Sequence, residues 1–436
     1  MHNLPPDLDN LSPQDKRKLL ERMLRERQTG DIGEKAQSQG YIFPQDYLDL
    51  QEKFGELEKL ESGPLYFQPS EGINRDTTVI GGRSFINFAG YNYLGMSGDP
   101  VVSRAAKEAI ERYGTSVSAS RLASGERPFH RELEREIAEF LDLEDSLVFV
   151  GGYTTNESVI GHVCRPDDLI LYDSLIHASV QTGCKLSGAK IRPFPHNNWQ
   201  SLDTILQGER EKYHQVLIII EGVYSMDGDI PDLPRFIEVK KRHRALLMID
   251  EAHSIGVLGE HGAGIGEYYD IERADADLWM GTLSKAFASC GGFIAGDSDM
   301  IRFLKYTTPG FVYSVGMPPA NTAAALASLR LMQKEPQRVQ TLHDRAGLFL
   351  ELAKSHGLNT GTSRDSAVIP IVIGQSIPCV RLYKALYDSG IYVLPIMYPT
   401  VPENASRLRF FVNCTHTEEQ IKTTIEILHD HHKRLC

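Results

Sequence analysis

Lys285 stands in Gly281-Thr-Leu-Ser-Lys285-Ala-Phe-Ala-Ser-Cys-Gly291-Gly292, just after the strand-like run Asp277–Met280. Most lysines are solvated surface charges. One set among Ala, Ser and Gly past a buried strand loses hydration, which lowers its pKa and makes its amine a nucleophile toward a carbonyl. Leu246-Leu-Met-Ile-Asp250-Glu-Ala-His253 is an apolar strand ending in a carboxylate, with a histidine three residues on. Open α/β sheets place ligand contacts at the C-terminal ends of strands. Asp250 is thus a candidate counter-charge for a protonated pyridine nitrogen, a pair worth roughly 4 kcal/mol at about 4 Å and intermediate dielectric. His253 is a candidate partner for a phenolic oxygen. The plainer alternatives are a helix-capping Asp and a D-E-A-H helicase box, and the second fails because the chain has no G-x-x-x-x-G-K-[ST] phosphate loop.

Phe149-Val-Gly151-Gly152-Tyr153-Thr154-Thr155-Asn156 reads as a strand, a glycine pair and the approach to a helix from about Glu157. Free N–H groups at a helix start bind anions, phosphate among them, although a glycine pair alone is more often a turn. Thr282, three residues before Lys285, can add a hydroxyl to the same phosphate. His177, in Asp173-Ser-Leu-Ile-His177-Ala-Ser, follows another strand-like run. Its imidazole suits stacking on a flat ring and donating a proton, while a lone histidine is more often structural. In Ser406-Arg407-Leu-Arg409-Phe-Phe, alternation along a strand puts both arginines on one face, as a fork for a carboxylate or as a surface ion pair. A nucleophilic amine, a pyridinium partner and a phosphate-binding helix start together point to pyridoxal phosphate held on Lys285.

Those residues need a sheet to hold them. From about residue 85, β-rich runs (147–150, 169–171, 216–220, 246–249, 278–280, 293–295) alternate with segments of helical period, the signature of a largely parallel sheet covered by helices. Beyond about 330 the order changes to strand-like 367–373, a helix near 380–387, strand-like 391–396 and 408–413, and a closing helix. That helix opens with the capping-box spacing Thr417-Glu-Glu-Gln420 and places Ile421, Ile425 and Leu428 on one face. The expected fold class is α/β, a large unit at 84–329 and a smaller α+β unit at 330–436. Residues 1–83 are expected as a helical or irregular lead-in. Within it, Leu11–Thr29 predicts a basic amphipathic helix capped by Ser12, either an accessory packed on the body or a docking element.

Composition closes off other classes. The 436 residues suggest two or three packed units at about 150 residues each. A 41% apolar and 24% charged content excludes disorder and collagen. The 46 basic against 58 acidic residues leave −12, which argues against non-specific nucleic-acid binding. Six cysteines without a C-x-x-C pair speak against a zinc ribbon or disulfide framework, so no metal is expected and a cytoplasmic location is. The start lacks a signal-peptide pattern, and no apolar run reaches the roughly 18 residues of a membrane span.

Taken in order, these segments resemble the α-oxoamine synthase family of pyridoxal phosphate enzymes over roughly residues 84–430. The likeness is carried by Asn87-Phe-Ala-Gly-Tyr-Asn92-Tyr93-Leu-Gly95, Glu221-Gly-Val-Tyr-Ser225-Met-Asp227-Gly-Asp229, Asp250-Glu-Ala-His253-Ser-Ile-Gly256, Gly281–Gly292 and the Arg407/Arg409 strand. The resemblance implies fold type I and a homodimer with active sites at the subunit interface. It implies Lys285 as the Schiff-base lysine, Asp250 and His253 as ring partners, and His177 as the stacking and catalytic histidine. Gly152, Tyr153, Thr154, Thr282, Ser225 and Ser314 are implied cofactor contacts. Arg409, with Asn92 and Ser120, is assigned to the substrate. Two segments depart from the family pattern: Tyr313-Ser314-Val315-Gly316 keeps one hydroxyl, and the loop from Gly114 to Gly125 carries Val117 and Ala119. The N-terminal helix is similar to linkers of polyketide and non-ribosomal peptide assembly lines, which implies an acyl carrier protein as a possible donor. The implied reaction is a decarboxylative Claisen condensation of an amino acid with an acyl thioester, giving an α-amino ketone, CO2 and free thiol. The alternatives are an aminotransferase of the same fold and a silent partner subunit of a heteromeric synthase.

Overall fold

Alternating runs of aliphatic and helix-forming sequence resolve into three sheets and their covering helices in the computed structural model, which describes residues 65–435 apart from Pro399, together with Tyr47 and Gly55. Contacts divide the chain into Met1–Phe67 and Gln68–Cys436, and all elements named below lie in the second unit. The expected helix over 11–29 lies outside the described residues.

A meander comes first: β1 (Ser70–Glu71), β2 (Thr77–Ile80) and β3 (Arg83–Asn87). Seven strands follow: β4 (Asp145–Phe149), β5 (Leu169–Asp173), β6 (Lys190–Phe194), β7 (Val216–Glu221), β8 (Leu246–Asp250), β9 (Leu278–Thr282) and β10 (Gly292–Gly296). The last four are β11 (Val368–Gly374), β12 (Ile391–Tyr392), β13 (Leu394–Ile396) and β14 (Ser406–Phe411).

The main sheet runs β4-β10-β9-β8-β7-β5-β6. Its strands are parallel except β10, which is antiparallel to both neighbours. A sheet covered on both faces buries whole strands. All six residues of β7 are buried accordingly. Val159 and Ile160 of helix Gly152–Val163 and Val180 and Cys184 of helix Ala178–Ser187 join Leu217, Met248 and Met280 in one core. This is the expected α/β architecture, with β4, β5, β7, β8, β9 and β10 found where their apolar runs lie; the mostly exposed edge strand β6, Lys190-Ile-Arg-Pro-Phe194, was not among the expected strands. Every parallel strand therefore points its C-terminal end to the same edge, where Asp173, Glu221, Asp250 and Thr282 stand.

The lead-in differs from its expectation. Residues 70–83 hold strands, because Thr77-Thr-Val-Ile80 is β-branched throughout and Gly81 and Gly82 take positive φ (58° and 75°), as a tight hairpin turn requires. The expected boundary at 83/84 falls inside this hairpin, and β3 pairs in parallel with β12, so the hairpin shares a sheet with the C-terminal segment. The single strand expected over 391–396 is likewise split. β12 joins β3, while β13 pairs with β14 beside β11. The closing helix, Glu418–Leu435, keeps its capping box: Gln420 N–H donates to Thr417 Oγ1 at 3.1 Å and Thr417 N–H to Gln420 Oε1 at 2.8 Å. Among the described residues no helix is long and apolar enough to cross a membrane.

Candidate active site

The C-terminal edge of the main sheet opens into a cavity of about 270 Å³ whose lining includes Tyr153, His177, Asp250, His253, Thr282 and Lys285. The ends of β7, β8 and β9 and the starts of two helices all meet there, so residues more than 130 positions apart in sequence become neighbours.

Lys285 follows β9 on a tight loop of small residues. Burial pushes its amine down to about 8, while Asp250 and Glu221 oppose that effect and Arg409 reinforces it. Its Nζ stands 5.9 Å from the centroid of the Tyr91 ring. Asp250 is 3% exposed at the end of β8. Its Oδ1 accepts the Ala252 N–H at 2.9 Å and its Oδ2 accepts Asn156 Nδ2 at 2.7 Å. Glu221, the last residue of β7, is paired in register with Asp250. Burial, with Asp250 beside it, raises the Glu221 carboxyl well above the usual range, and its Oε1 accepts the His177 N–H at 2.7 Å.

His253 is buried, and burial holds its imidazole neutral. Its Nδ1 lies 2.7 Å from the Tyr93 hydroxyl. Burial raises the Tyr93 pKa, so that hydroxyl keeps its proton. A phenol oxygen both donates and accepts, so this contact suits either neutral tautomer, and the one with Tyr93 as donor carries the His253 proton on Nε2. His177 caps helix Ala178–Ser187, and burial lowers its pKa as well.

Helix Gly152–Val163 begins on Gly151 with no side-chain cap, so its first N–H groups are open to an anion. The glycine at 152 has a packing cause: a Cβ there would lie 2.7 Å from Thr282 Oγ1 and 3.0 Å from Thr282 Cβ. Thr282 Oγ1 sits 2.8 Å from Ser284 Oγ at the same place. From β14, Arg409 Nη1 donates to the Ser225 carbonyl at 3.0 Å and its guanidinium lies 4.7 Å from the Phe411 ring centroid. Its Nε is buried without a hydrogen-bond partner. Arg407 shares the face, but is committed to the Met226 carbonyl and the Asp227 carboxylate. Of the two, Arg409 is the one with a buried donor left without a partner.

A pyridoxal phosphate fits this donor set. The uncapped helix start and Thr282 suit the phosphate, Asp250 the ring nitrogen, His253 Nε2 the phenolic oxygen, and Lys285 the aldehyde. Arg409 and the remaining candidates stand apart from the cavity lining. Thr154 Oγ1 donates to Gly151 O at 2.8 Å, and Ser225 offers its carbonyl to Arg409. The Asn92 side chain bridges Asn74 O and Ser97 N–H, fixing its own loop. The Ser120 carbonyl accepts Ala123 and Gly125 N–H groups at the start of a short π-turn. Ser314 is on a surface loop, with its Oγ 3.3 Å from Val315 O. Sequence reasoning passed over Tyr93, Asn156, Ser179 and Glu221 as site residues. All four lie inside stretches singled out for other residues, but nothing in their spacing announces which face they present.

The aminotransferase class I and II family model matches residues 83–428. Among curated proteins, the chain is 35% identical over 372 residues to an 8-amino-7-oxononanoate synthase of Thermoanaerobacter pseudethanolicus, covering 85% of this chain and 94% of that one. A synthase of the same name from Geobacter sulfurreducens is 36% identical over 375 residues, covering 85% and 95%. Among solved structures, the serine palmitoyltransferase of Sphingomonas wittichii superposes with a TM-score of 0.85 at 30% identity, covering 90% of this chain and 98% of that one. The serine palmitoyltransferase of S. paucimobilis with bound PLP gives 0.84 at 28%, covering 89% and 98%.

Proposed function

The chain belongs to the aminotransferase class I and II family, and within it to the α-oxoamine synthases; from that premise we propose that it joins an amino acid to an acyl thioester with loss of CO2 and release of the thiol, as a pyridoxal phosphate-dependent acyltransferase. The observation that carries this reading is one buried cavity holding a lysine amine at about 8 beside a carboxylate at a strand end.

When bound, pyridoxal phosphate supplies an aldehyde for an amine and a ring that takes up electron density from the carbon next to it. The residues of the chain do the rest. Lys285 holds the cofactor through Nζ and, once the incoming amino acid takes its place, receives the α-proton on the same nitrogen. Asp250 keeps positive charge on the ring nitrogen, and its two donors hold the carboxylate in place. His253 donates from Nε2, the atom protonated when Tyr93 is the donor. Arg409 directs its spare Nε to the substrate carboxylate, while His177 faces the developing oxyanion.

The proposed division is a large unit over 84–329 and a small unit over 330–436, with β3 pairing to β12 of the small unit. A homodimer is part of the proposal. Leu122, Tyr313 and Val315 are exposed apolar side chains, Tyr313 at 85%, and the Gly316 N–H bonded to Ala119 O at 3.1 Å ties their two loops together. A second copy covering that patch would bring Ser314 toward a neighbouring phosphate site. Cys164, Cys184, Cys290, Cys379 and Cys414, none of them in a disulfide, suit a cytoplasmic location. A carrier protein as acyl donor rests on residues 11–29 alone.

The test is to supply each small amino acid with acyl-CoA or acyl-carrier thioesters and measure CO2 and free thiol. Stoichiometric release of both is expected. Amino transfer to a 2-oxo acid without CO2 would replace this reading with an aminotransferase, and a purified chain that binds no cofactor would make it a silent partner subunit.

A further inference from the structure

A run of hydrogen bonds joins His177 to Asp250 across two helices. Helix Ala178–Ser187 starts on His177, whose Nδ1 accepts the Ser179 backbone N–H at 3.2 Å. A peptide N–H can only donate, so Nδ1 presents its lone pair and the neutral ring carries its proton on Nε2. The Ser179 hydroxyl, on a residue 1% exposed, lies 2.7 Å from the same Nδ1. Asn156 supplies the other end. Its Nδ2 lies 2.7 Å from Asp250 Oδ2 and 2.9 Å from Ser179 Oγ. An ionised carboxylate accepts only, which fixes the orientation of the amide: one Nδ2 hydrogen goes to Asp250 and the other to Ser179. With the Ser179 oxygen already accepting, its hydrogen has Nδ1 as acceptor.

We propose that Ser179 and Asn156 are positioning residues that lock His177 as the Nε2–H tautomer and tie its ring to the carboxylate that faces the pyridine nitrogen. The catalytic consequence rests on the reading of the cavity given above, whereas the tautomer is a property of the chain itself. Neutral His177 is also favoured by its place at a helix N-terminus, where positive charge is disfavoured. The charged groups around it oppose one another: Asp250 raises its pKa, while Lys285 and Arg409 lower it, and burial outweighs all three. Glu221 accepts its backbone N–H, and Tyr153 meets its ring edge-on at 6.4 Å between centroids. An imidazole held in this state donates a hydrogen bond from Nε2 to an oxyanion at neutral pH without first having to capture a proton.

Nitrogen NMR of the full chain labelled in histidine, with and without cofactor, tests this. His177 Nε2 is expected at the shift of a protonated nitrogen and Nδ1 at that of an unprotonated one. In Ser179→Ala the backbone N–H still holds Nδ1 unprotonated, and the His177 titration midpoint rises by about one pH unit, the size of the one lost hydroxyl hydrogen bond. Turnover falls about tenfold with the KM for the amino acid little changed, short of the roughly 10²–10⁴-fold for losing a positioned acid–base group itself. Ser179→Thr restores the midpoint. A wild-type Nδ1 that carries the proton overturns the proposal, and that spectrum decides the matter even if the Ala variant fails to fold. An unchanged midpoint in a folded Ser179→Ala also overturns it. Failure of the cofactor reading would show separately, as a chain that binds no pyridoxal phosphate while its imidazole signals stay as described.

Discussion

Capture of an aldehyde needs an uncharged amine, and the Lys285 environment supplies one. An ordinary lysine titrates at 10.5, and burial brings Lys285 to about 8, so near pH 7 about a tenth of the amines are free instead of a few in ten thousand. Below pH 8 the proton is on and the nucleophile is lost; above it nothing more is gained. Cofactor-free protein is therefore expected to take up pyridoxal phosphate at a rate that climbs about tenfold per pH unit up to pH 8 and then levels. Stopped-flow absorbance reads this directly, and a climb continuing toward pH 10 would mean a solvated lysine. Lys285→Ala is expected to lose both the visible absorbance of the held cofactor and turnover, the latter by more than about 10²-fold. A variant that keeps full activity would remove the assignment. Lys285, Asp250, His253 and Arg409 were legible because each sits at a strand end or on a strand with a distinctive neighbourhood. Tyr93 and Asn156 were not, because their roles depend on which way a turn or a helix face points.

The segment after β7 links the sheet edge to the small unit. Gly228, at φ +67°, lies so close to β11 that an added Cβ would stand 1.8 Å from the Val368 carbonyl. Only glycine fits there. The same loop offers the Ser225 and Met226 carbonyls that hold Arg409 and Arg407. Gly228→Ala is expected to shift the loop and with it Arg409, destabilising the chain by about 1–3 kcal/mol in chemical denaturation. The KM for the amino acid should rise about tenfold, while the cofactor absorbance is retained because Lys285 and Asp250 lie on other elements. An unaltered KM would separate Arg409 from substrate binding. The inner parallel strands were readable as apolar runs because both faces are covered, while the parallel edge strand β6, exposed along most of its length, was not. The β2–β3 hairpin was not, since its partner β12 is some 300 residues away and a four-residue strand carries little periodicity of its own.

Exposed Leu122, Tyr313 and Val315 leave an apolar patch beside Ser314, a feature that a second copy of the chain would cover. Tyr313→Asp combined with Val315→Asp is expected to yield monomers by sedimentation velocity, with weaker cofactor binding as the contribution of Ser314 is lost. A dimer of undiminished cofactor affinity would place the interface elsewhere. The net charge of −12 does not oppose such pairing, because like charges away from an apolar contact are screened within about 8 Å at physiological salt.

The chemistry on offer and its scaffold were written along the chain: an amine past a buried strand, an acid at the end of another, an arginine on a third, and the alternation that makes a parallel sheet. These follow from local order, because strand ends and short loops are contiguous in the chain. Only the tertiary structure decided which groups meet. It committed Arg407 to Asp227 and left Arg409 a free donor, joined the early hairpin to the late strand β12, and ran Asp250 through Asn156 and Ser179 to His177. Hydrogen bonds of that kind depend on atoms brought within about 3 Å from distant positions, and no spacing along the chain encodes that distance.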